Sequence, residues 1–323
     1  MDVAAMTGQS NGNCGGTAYS WHPAHDRSSD ARVPDTGMAD SEVPDTGMAD
    51  SGVPNAGVIV LIHGLGLTRG IWDGHLPALR QRHDVLTYDL AGHGESDLPL
   101  GTPDLTLFAT QLCHLLDRLE IETCHLVGFS LGGMINRRFA MDHPDRVRSL
   151  VILNSPHERS PDAQALVEKR AADTRGGGPG ANIDETLARW FTPDFISEKP
   201  DIVADVRAWV LANDPQSYAA CRAVLAHGVR ELIRPEPAIG HPTLVVTCEN
   251  DSGSTPAMSH AIASEISGAQ VEVIPRLQHL GLIEAPGLFT TPILRFIEGF
   301  SSDCQPSHSP ANVSKERSHG QDC

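Results

Sequence analysis

Positive charge is scarce in this sequence: 24 lysines and arginines stand against 41 aspartates and glutamates, for a formal net charge of −17. Nucleic acids and anionic membrane surfaces bind proteins through clustered lysine and arginine. We therefore expect neither nucleic acid nor a membrane as a partner. No apolar run approaches the roughly 18 residues that a membrane helix needs. The opening residues MDVAAMTGQSNGNCGG lack the basic start and the apolar stretch of a signal peptide.

Cysteine is also sparse, and its spacing is irregular. The chain has seven cysteines, an odd number, with no C-x-x-C pair among them. This spacing argues against a disulfide framework and against a zinc site, and it suits reduced thiols in the cytoplasm. The cysteines are Cys14, Cys113, Cys124, Cys221, Cys248, Cys304 and Cys323.

A low-complexity segment interrupts the N-terminal part of the chain. Residues 33–40 read VPDTGMAD, residues 43–50 repeat those letters, and VPNAG at residues 53–57 begins a third copy. The period is too short for a solenoid, and the copies offer few apolar side chains to bury. We expect residues 23–55 to be a disordered insert, and the polar residues 301–323 to be a disordered tail.

Between these segments, apolar runs alternate with amphipathic helical stretches. The runs are apolar on both faces, which is typical of buried parallel strands. Helical periodicity lies between them, for example over residues 105–119 and 131–141. The alternation predicts an α/β fold with a mostly parallel, doubly wound sheet. The strand candidates are residues 58–62, 84–88, 124–127, 150–153, 243–246 and 271–274, with a possible edge strand within residues 1–22.

One interval breaks the alternation, because residues 156–240 carry helical patterns only. A helical insertion between two strands is best explained as a cap over the carboxyl edge of the sheet, where open α/β sheets bind ligands. The predicted core is then residues 56–155 together with residues 241–300. Four aromatic side chains of the cap could line a ligand pocket or fill the cap interior, and we favour the interior for most of them. They are Trp190, Phe191, Trp209 and Tyr218.

The sequence VGFSLGG at residues 127–133 places Ser130 between a predicted strand and a predicted helix. This G-x-S-x-G pattern at a strand–helix junction predicts a nucleophile elbow. Gly128 and Gly132 leave room for the sharp turn, which would project the serine oxygen above the sheet. Backbone N–H groups at the start of the helix, that of Leu131 first, could then stabilise an oxyanion.

A serine nucleophile needs a base, and the base needs an orienting carboxylate. His279 follows the last predicted strand, and Asp251 follows the strand before it, in the sequence CEND. The order Ser130, Asp251, His279 is one known from catalytic triads on α/β sheets. We predict these three residues as catalytic, with Glu249, two residues closer to the strand, as the rival acid.

A second glycine-rich loop, His63-Gly64-Leu65-Gly66, follows the first long apolar strand. Its glycines allow a tight turn, so that the N–H groups of Leu65 and Leu131 could point at one oxygen atom. We predict these two amides as the oxyanion hole. His63 and His93, by contrast, are expected to be structural histidines rather than catalytic bases.

Together these motifs resemble the α/β-hydrolase superfamily. The resemblance spans about residues 56–300 and rests on five motifs. They are the strand followed by HGLG, YDLAGHGES at residues 88–96, GFSLGG, the acid loop and the later HLGLIEAP. Residues 72–156 look most like capped hydrolases of the 3-oxoadipate enol-lactonase type. The resemblance implies a Ser-His-Asp triad, a helical cap and no cofactor. One departure is Cys248, which stands where family members often have a glycine three residues before the aspartate.

These observations predict a serine hydrolase whose partner is a small-molecule ester or lactone. One alternative is hydrolysis of a carbon–carbon bond in a ring-cleavage dienoate, which related capped hydrolases perform with the same triad. Another, from a different class of protein, is a receptor that binds a small ligand without turnover, because receptors on this fold can keep the triad.

Overall fold

An eight-stranded sheet organises the structure, a computed structural model that describes residues 9–25 and 57–302. Its strands are β1 (Ser10–Cys14), β2 (Thr17–His22), β3 (Val58–Ile62), β4 (Asp84–Tyr88), β5 (Cys124–Phe129), β6 (Val147–Leu153), β7 (Thr243–Cys248) and β8 (Gln270–Ile274). They lie side by side in the order β1-β2-β4-β3-β5-β6-β7-β8. The β1–β2 and β2–β4 pairs are antiparallel, and all remaining pairs are parallel.

Three stretches lie outside the described residues: 1–8, 26–56 and 303–323. They include nearly all of the insert predicted at residues 23–55 and of the tail predicted at residues 301–323. Both expectations therefore stay predictions.

The apolar runs form the strands in the middle of the sheet. These strands are covered on both faces, which is why their residues are apolar throughout. Every residue of β3 and of β5 is buried, whereas most of β8, at the edge, is partly or fully exposed. The doubly wound α/β fold expected from the sequence is confirmed. The six predicted strands are all present, with bounds that differ by a few residues.

The first strand lies within residues 1–22, where a possible edge strand was expected, but it is barely visible in the sequence because its residues SNGNC have no apolar alternation. A two-residue turn, Gly15-Gly16, joins it to β2 with φ angles of 58° and 87°. Positive φ at both turn positions suits the twist of a tight hairpin. The turn therefore sets the pairing of Cys14 with Thr17, and side-chain burial contributes little.

Helices flank the sheet, and a group of them forms the cap. They are α1 (Leu76–Leu79), α2 (Leu105–Arg118), α3 (Leu131–Asp142), α4 (Pro161–Gly177), α5 (Ile183–Trp190), α6 (Pro193–Glu198), α7 (Pro200–Leu211), α8 (Pro215–His227), α9 (Pro256–Ser264), α10 (Gly281–Glu284) and α11 (Pro286–Ser302). Helices α4 to α8 lie between β6 and β7, so the helical cap inserted between two strands is confirmed. Among the residues described, no helix is both long enough and apolar enough to cross a membrane.

Three buried histidines make the stability of this fold sensitive to acid. Burial lowers the pKa of His22 and of His75 to about 4, and that of His93 to about 3, from an ordinary 6.5. Below pH 6.5 the unfolded chain therefore binds protons that the folded chain does not. The contribution of these neutral histidines to the free energy of unfolding is complete above pH 6.5, and it is lost as the pH falls towards 4. At pH 5 the loss is about 2 kcal/mol for each histidine, at roughly 1.4 kcal/mol per pKa unit.

We predict that the free energy of unfolding, measured with urea, falls by several kcal/mol between pH 7 and pH 5. His75→Gln should weaken this pH dependence, because it removes one of the titrating groups. His260→Gln is the matched control, since His260 is exposed and its loss should leave the profile unchanged. A free energy of unfolding that stays constant from pH 7 to pH 5 would contradict the prediction.

Candidate active site

Ser130 occupies the sharp turn between β5 and α3. Its backbone has φ 55° and ψ −111°, a left-handed conformation that costs a non-glycine residue about 1–3 kcal/mol. Two hydrogen bonds hold this conformation: the Ser130 N–H donates to Leu153 O at 2.8 Å, and the Ser155 hydroxyl donates to Ser130 O at 2.9 Å. Hydrogen bonds to the end of β6 and to the residues that follow it therefore hold Ser130 in this strained backbone conformation.

The two glycines that flank Ser130 are required by close backbone contacts. A Cβ atom on Gly128 would overlap the carbonyl of Gly132, and one on Gly132 would overlap the carbonyl of Ile62. These neighbours are main-chain atoms of packed elements, so they cannot move aside as a flexible side chain can. The G-x-S-x-G spacing thus follows from the geometry of the turn.

His279 lies in the loop after β8, with its imidazole between a hydroxyl and a carboxylate. Its Nε2 is 3.2 Å from Ser130 Oγ, and its Nδ1 is 2.6 Å from Asp251 Oδ2. The ring packs against Phe129, with 4.9 Å between centroids, and faces Trp190 at 6.1 Å. The structure therefore brings together the three side chains that the sequence nominated.

Asp251 follows β7 and is buried, with both of its carboxylate oxygens bonded. Oδ1 accepts from the N–H groups of Gly253 and Ser254, at 2.8 and 2.9 Å. Oδ2 accepts from Asn154 Nδ2 at 2.9 Å as well as from the imidazole. Burial alone would raise the pKa of this carboxyl, but the neighbouring imidazole and the accepted hydrogen bonds outweigh it and lower the pKa. Asp251 is therefore an anion at neutral pH.

Asn154 is a part of the site that sequence reasoning missed. It follows β6, is fully buried and has a positive φ of 45°, a conformation that asparagine tolerates better than most residues. Its amide donates to Oδ2 of Asp251, whereas the loop amides donate to Oδ1. An asparagine directly after a buried strand was the only signal in the sequence, and such residues are common in loops.

Glu249, the rival acid, is turned away from the site. Its side chain is exposed, and Oε2 accepts from the Arg276 N–H at 2.8 Å, at the turn after β8. The Asp251 N–H donates to Cys248 O at 3.2 Å, so the chain turns tightly even without a glycine at position 248. That turn carries the aspartate over the sheet edge and leaves the glutamate outside.

The amides of Leu65 and Leu131 are available for a ligand. Within the described part of the chain, neither N–H donates a hydrogen bond. Leu65 lines the same cavity as Ser130, and Leu131 begins the helix that Ser130 precedes. Gly66, with a φ of 75°, lies in a tight turn that the Leu67 N–H closes by donating to Gly64 O at 3.3 Å.

The other loop histidines are structural. His63 is fully buried, with Nδ1 2.8 Å from Gly64 O while Nε2 accepts from the Leu90 N–H at 2.9 Å. Both ring nitrogens are thus engaged by backbone, which leaves His63 no lone pair for a substrate. His93 packs edge-on against His63 and has Nδ1 3.2 Å from Ala91 O.

A cavity of about 100 Å³ opens between Ser130 and the cap. Of the four cap aromatics, Trp190 lines it. Phe191 and Tyr218 are buried in the packing, and Trp209 is partly buried against it. In residues 9–25 and 57–302 no cluster of three histidine, cysteine or carboxylate side chains could hold a metal ion.

Proteins that join a serine, a histidine and an aspartate at the carboxyl edge of such a sheet, beneath a helical cap, form the class of α/β hydrolases. A family model described as "Alpha/beta hydrolase family" matches residues 59–290 of this chain. The chain belongs to this family, and it is a hydrolase.

Its similarity to enol-lactonases, expected from the sequence, is confirmed. The 3-oxoadipate enol-lactonase 1 of Acinetobacter baylyi is 31% identical over 253 residues, which cover 76% of this chain and 89% of that protein. The 3-oxoadipate enol-lactonase 2 of the same organism is 27% identical over 244 residues, 75% of this chain and 89% of that protein. The crystal structure of the enol-lactonase from Burkholderia xenovorans LB400 matches with a TM-score of 0.71 and 27% identity, covering 90% of this chain and 100% of that one.

Proposed function

We propose that the protein hydrolyses small carboxylic esters or lactones, with Ser130 as nucleophile, His279 as base and Asp251 as orienting acid. The observation that carries this proposal is the unbroken chain of contacts from Asp251 Oδ2 through both imidazole nitrogens to Ser130 Oγ, at 2.6 and 3.2 Å. The lactone substrates in the names of similar proteins support the same bond type.

The first half of the reaction forms an acyl-enzyme. His279 Nε2 takes the proton of the Ser130 hydroxyl as Oγ attacks the carbonyl carbon of the substrate. The carbonyl oxygen gains negative charge, and the free N–H groups of Leu65 and Leu131 stabilise it. The tetrahedral intermediate then expels the alcohol oxygen, which takes the proton from the imidazolium. In a lactone that alcohol stays attached to the acyl chain.

The second half releases the acid. His279 takes a proton from a water molecule, whose oxygen attacks the ester carbon of the acyl-enzyme. The intermediate collapses, Ser130 Oγ regains its proton, and the free carboxylic acid leaves. Throughout, the anionic Asp251 keeps Nδ1 protonated, so that Nε2 is the nitrogen that accepts protons.

Product analysis on three probes tests this function. We expect the purified protein to hydrolyse p-nitrophenyl acetate and an enol-lactone to their acids, and to leave the carbon–carbon bond of a ring-cleavage dienoate intact. The same assays with Ser130→Ala measure background hydrolysis. Faster cleavage of the dienoate than of either ester would favour carbon–carbon hydrolysis, and ligand binding without turnover of any probe would indicate a receptor.

A further inference from the structure

Four arginine side chains from different segments of the cap face the cavity above Ser130. Arg159 precedes α4, Arg170 lies within α4, Arg189 lies on α5 and Arg222 lies on α8. All four are partly buried. The part of the cavity wall that the cap supplies is therefore cationic, in a protein whose formal net charge is −17.

None of these arginines has a carboxylate partner within 4.0 Å among the described residues, although seven arginines elsewhere do. Their hydrogen bonds go to neutral groups. Arg159 donates to main-chain carbonyls of α8 at 3.4 Å, and Arg222 donates to a tyrosine hydroxyl at 3.2 Å. Arg189 donates to a threonine hydroxyl at 3.4 Å, its Nε is buried without a partner, and Arg170 has no hydrogen bond to any described residue. The cluster thus keeps most of its donors unused.

The arginines also repel one another. Burial, followed by the charges of Arg170 and Arg222, lowers the pKa of Arg189 to about 10. Asp251 is the sole carboxylate among the residues that line this cavity, and its oxygens are already bonded to the imidazole, to Asn154 and to loop amides. Partly buried like charges without counter-ions are destabilising, so packing alone does not explain the cluster.

We propose that the substrate is an ester or lactone that carries at least two further carboxylate groups, which these four arginines bind. This inference rests on the proposed function, because Ser130 must attack the remaining carbonyl. The planar guanidinium matches a carboxylate with two parallel hydrogen bonds, which favours arginine for this task over lysine. With its carboxylates against the cap, a di- or tricarboxylic acid presents its ester group towards Ser130 and the Leu65 amide.

Binding of three simple acids to the full-length protein tests the charge requirement without any turnover. Butyrate, glutarate and tricarballylate carry one, two and three carboxylates. We expect the Kd measured by calorimetry to fall by about tenfold with each added carboxylate, since hydrogen bonds between charged groups are the strong ones. Equal affinity for butyrate and tricarballylate would overturn the proposal.

Arg170→Gln is the sharpest variant, because Arg170 bonds to no described residue and its loss should not disturb folding. We expect it to weaken tricarballylate binding by about tenfold. Arg230→Gln is the matched control: Arg230 is exposed, lies just after the cap helix α8 and is 3.5 Å from Glu168. Equal losses in the two variants would mean that tricarballylate responds to overall charge, and the cluster would not be its site.

Turnover measurements distinguish the proposal of a polycarboxylate substrate from the proposed ester or lactone hydrolysis itself. We expect kcat/KM for the p-nitrophenyl monoester of tricarballylic acid to exceed that for p-nitrophenyl acetate by about 100-fold, and Arg170→Gln to narrow that ratio. Equal turnover of both esters would reject the polycarboxylate substrate alone. Binding of tricarballylate that depends on Arg170, without turnover of either ester, would reject the proposed function alone.

Discussion

Replacing Ser130 by alanine should abolish ester hydrolysis while the protein stays folded. The substitution removes the hydroxyl oxygen that lies 3.2 Å from His279 Nε2 and would attack the carbonyl. The oxyanion donors and the cavity remain, and such remnants leave a rate only about 10³–10⁴ above that in water. Alanine has the same Cβ as serine, so the strained turn is unchanged, and we expect the melting temperature to move by only a few degrees.

The measurement is kcat for p-nitrophenyl acetate, with circular dichroism to verify folding. A variant that keeps a tenth of the wild-type kcat would reject Ser130 as the nucleophile. A serine-directed phosphonate should also form one adduct, which mass spectrometry would locate at Ser130. Ser264→Ala is the matched control and should keep full labelling and activity, since Ser264 is exposed and its hydroxyl donates to Ala261 O within α9.

Replacing Asp251 by asparagine should lower kcat by a factor on the order of 10⁴, as when a triad loses its orienting carboxylate. An asparagine amide can offer its NH₂ group to Nδ1 of His279, which would put the ring proton on Nε2. That nitrogen could then no longer accept the proton of Ser130. The effect should appear in kcat more than in KM, because the carboxylate is engaged with the imidazole and loop amides rather than with substrate.

Glu249→Gln is the matched control for Asp251→Asn, since the two residues follow the same strand. Glutamine keeps an oxygen that can accept from the Arg276 N–H, so we expect kcat to change by less than tenfold. If the two variants exchange their effects, Glu249 is the acid, and the roles of Ser130 and His279 are unaffected.

Local patterns predicted most of the fold. The buried strands were visible because a strand covered on both faces must be apolar throughout, and the turn at Ser130 was visible because backbone contacts exclude any side chain at Gly128 and Gly132. Strand β1 was only weakly indicated, as a possible edge strand within residues 1–22, because a glycine turn, with little contribution from hydrophobic burial, sets its pairing.

The sequence by itself determined the alternating α/β architecture, the inserted helical cap, and Ser130, Asp251 and His279 as candidates, each at the end of a strand. These features depend on residues that are near one another in the chain. Only the tertiary structure decided that Asp251 rather than Glu249 meets His279, that Asn154 holds that carboxylate, and that four arginines share one cavity wall. Asn154 and Asp251 are 97 residues apart, and the arginines come from separate segments of the cap. The local periodicity of the sequence does not reveal which side chains meet across a sheet edge, because the packing of whole helices and strands sets those contacts.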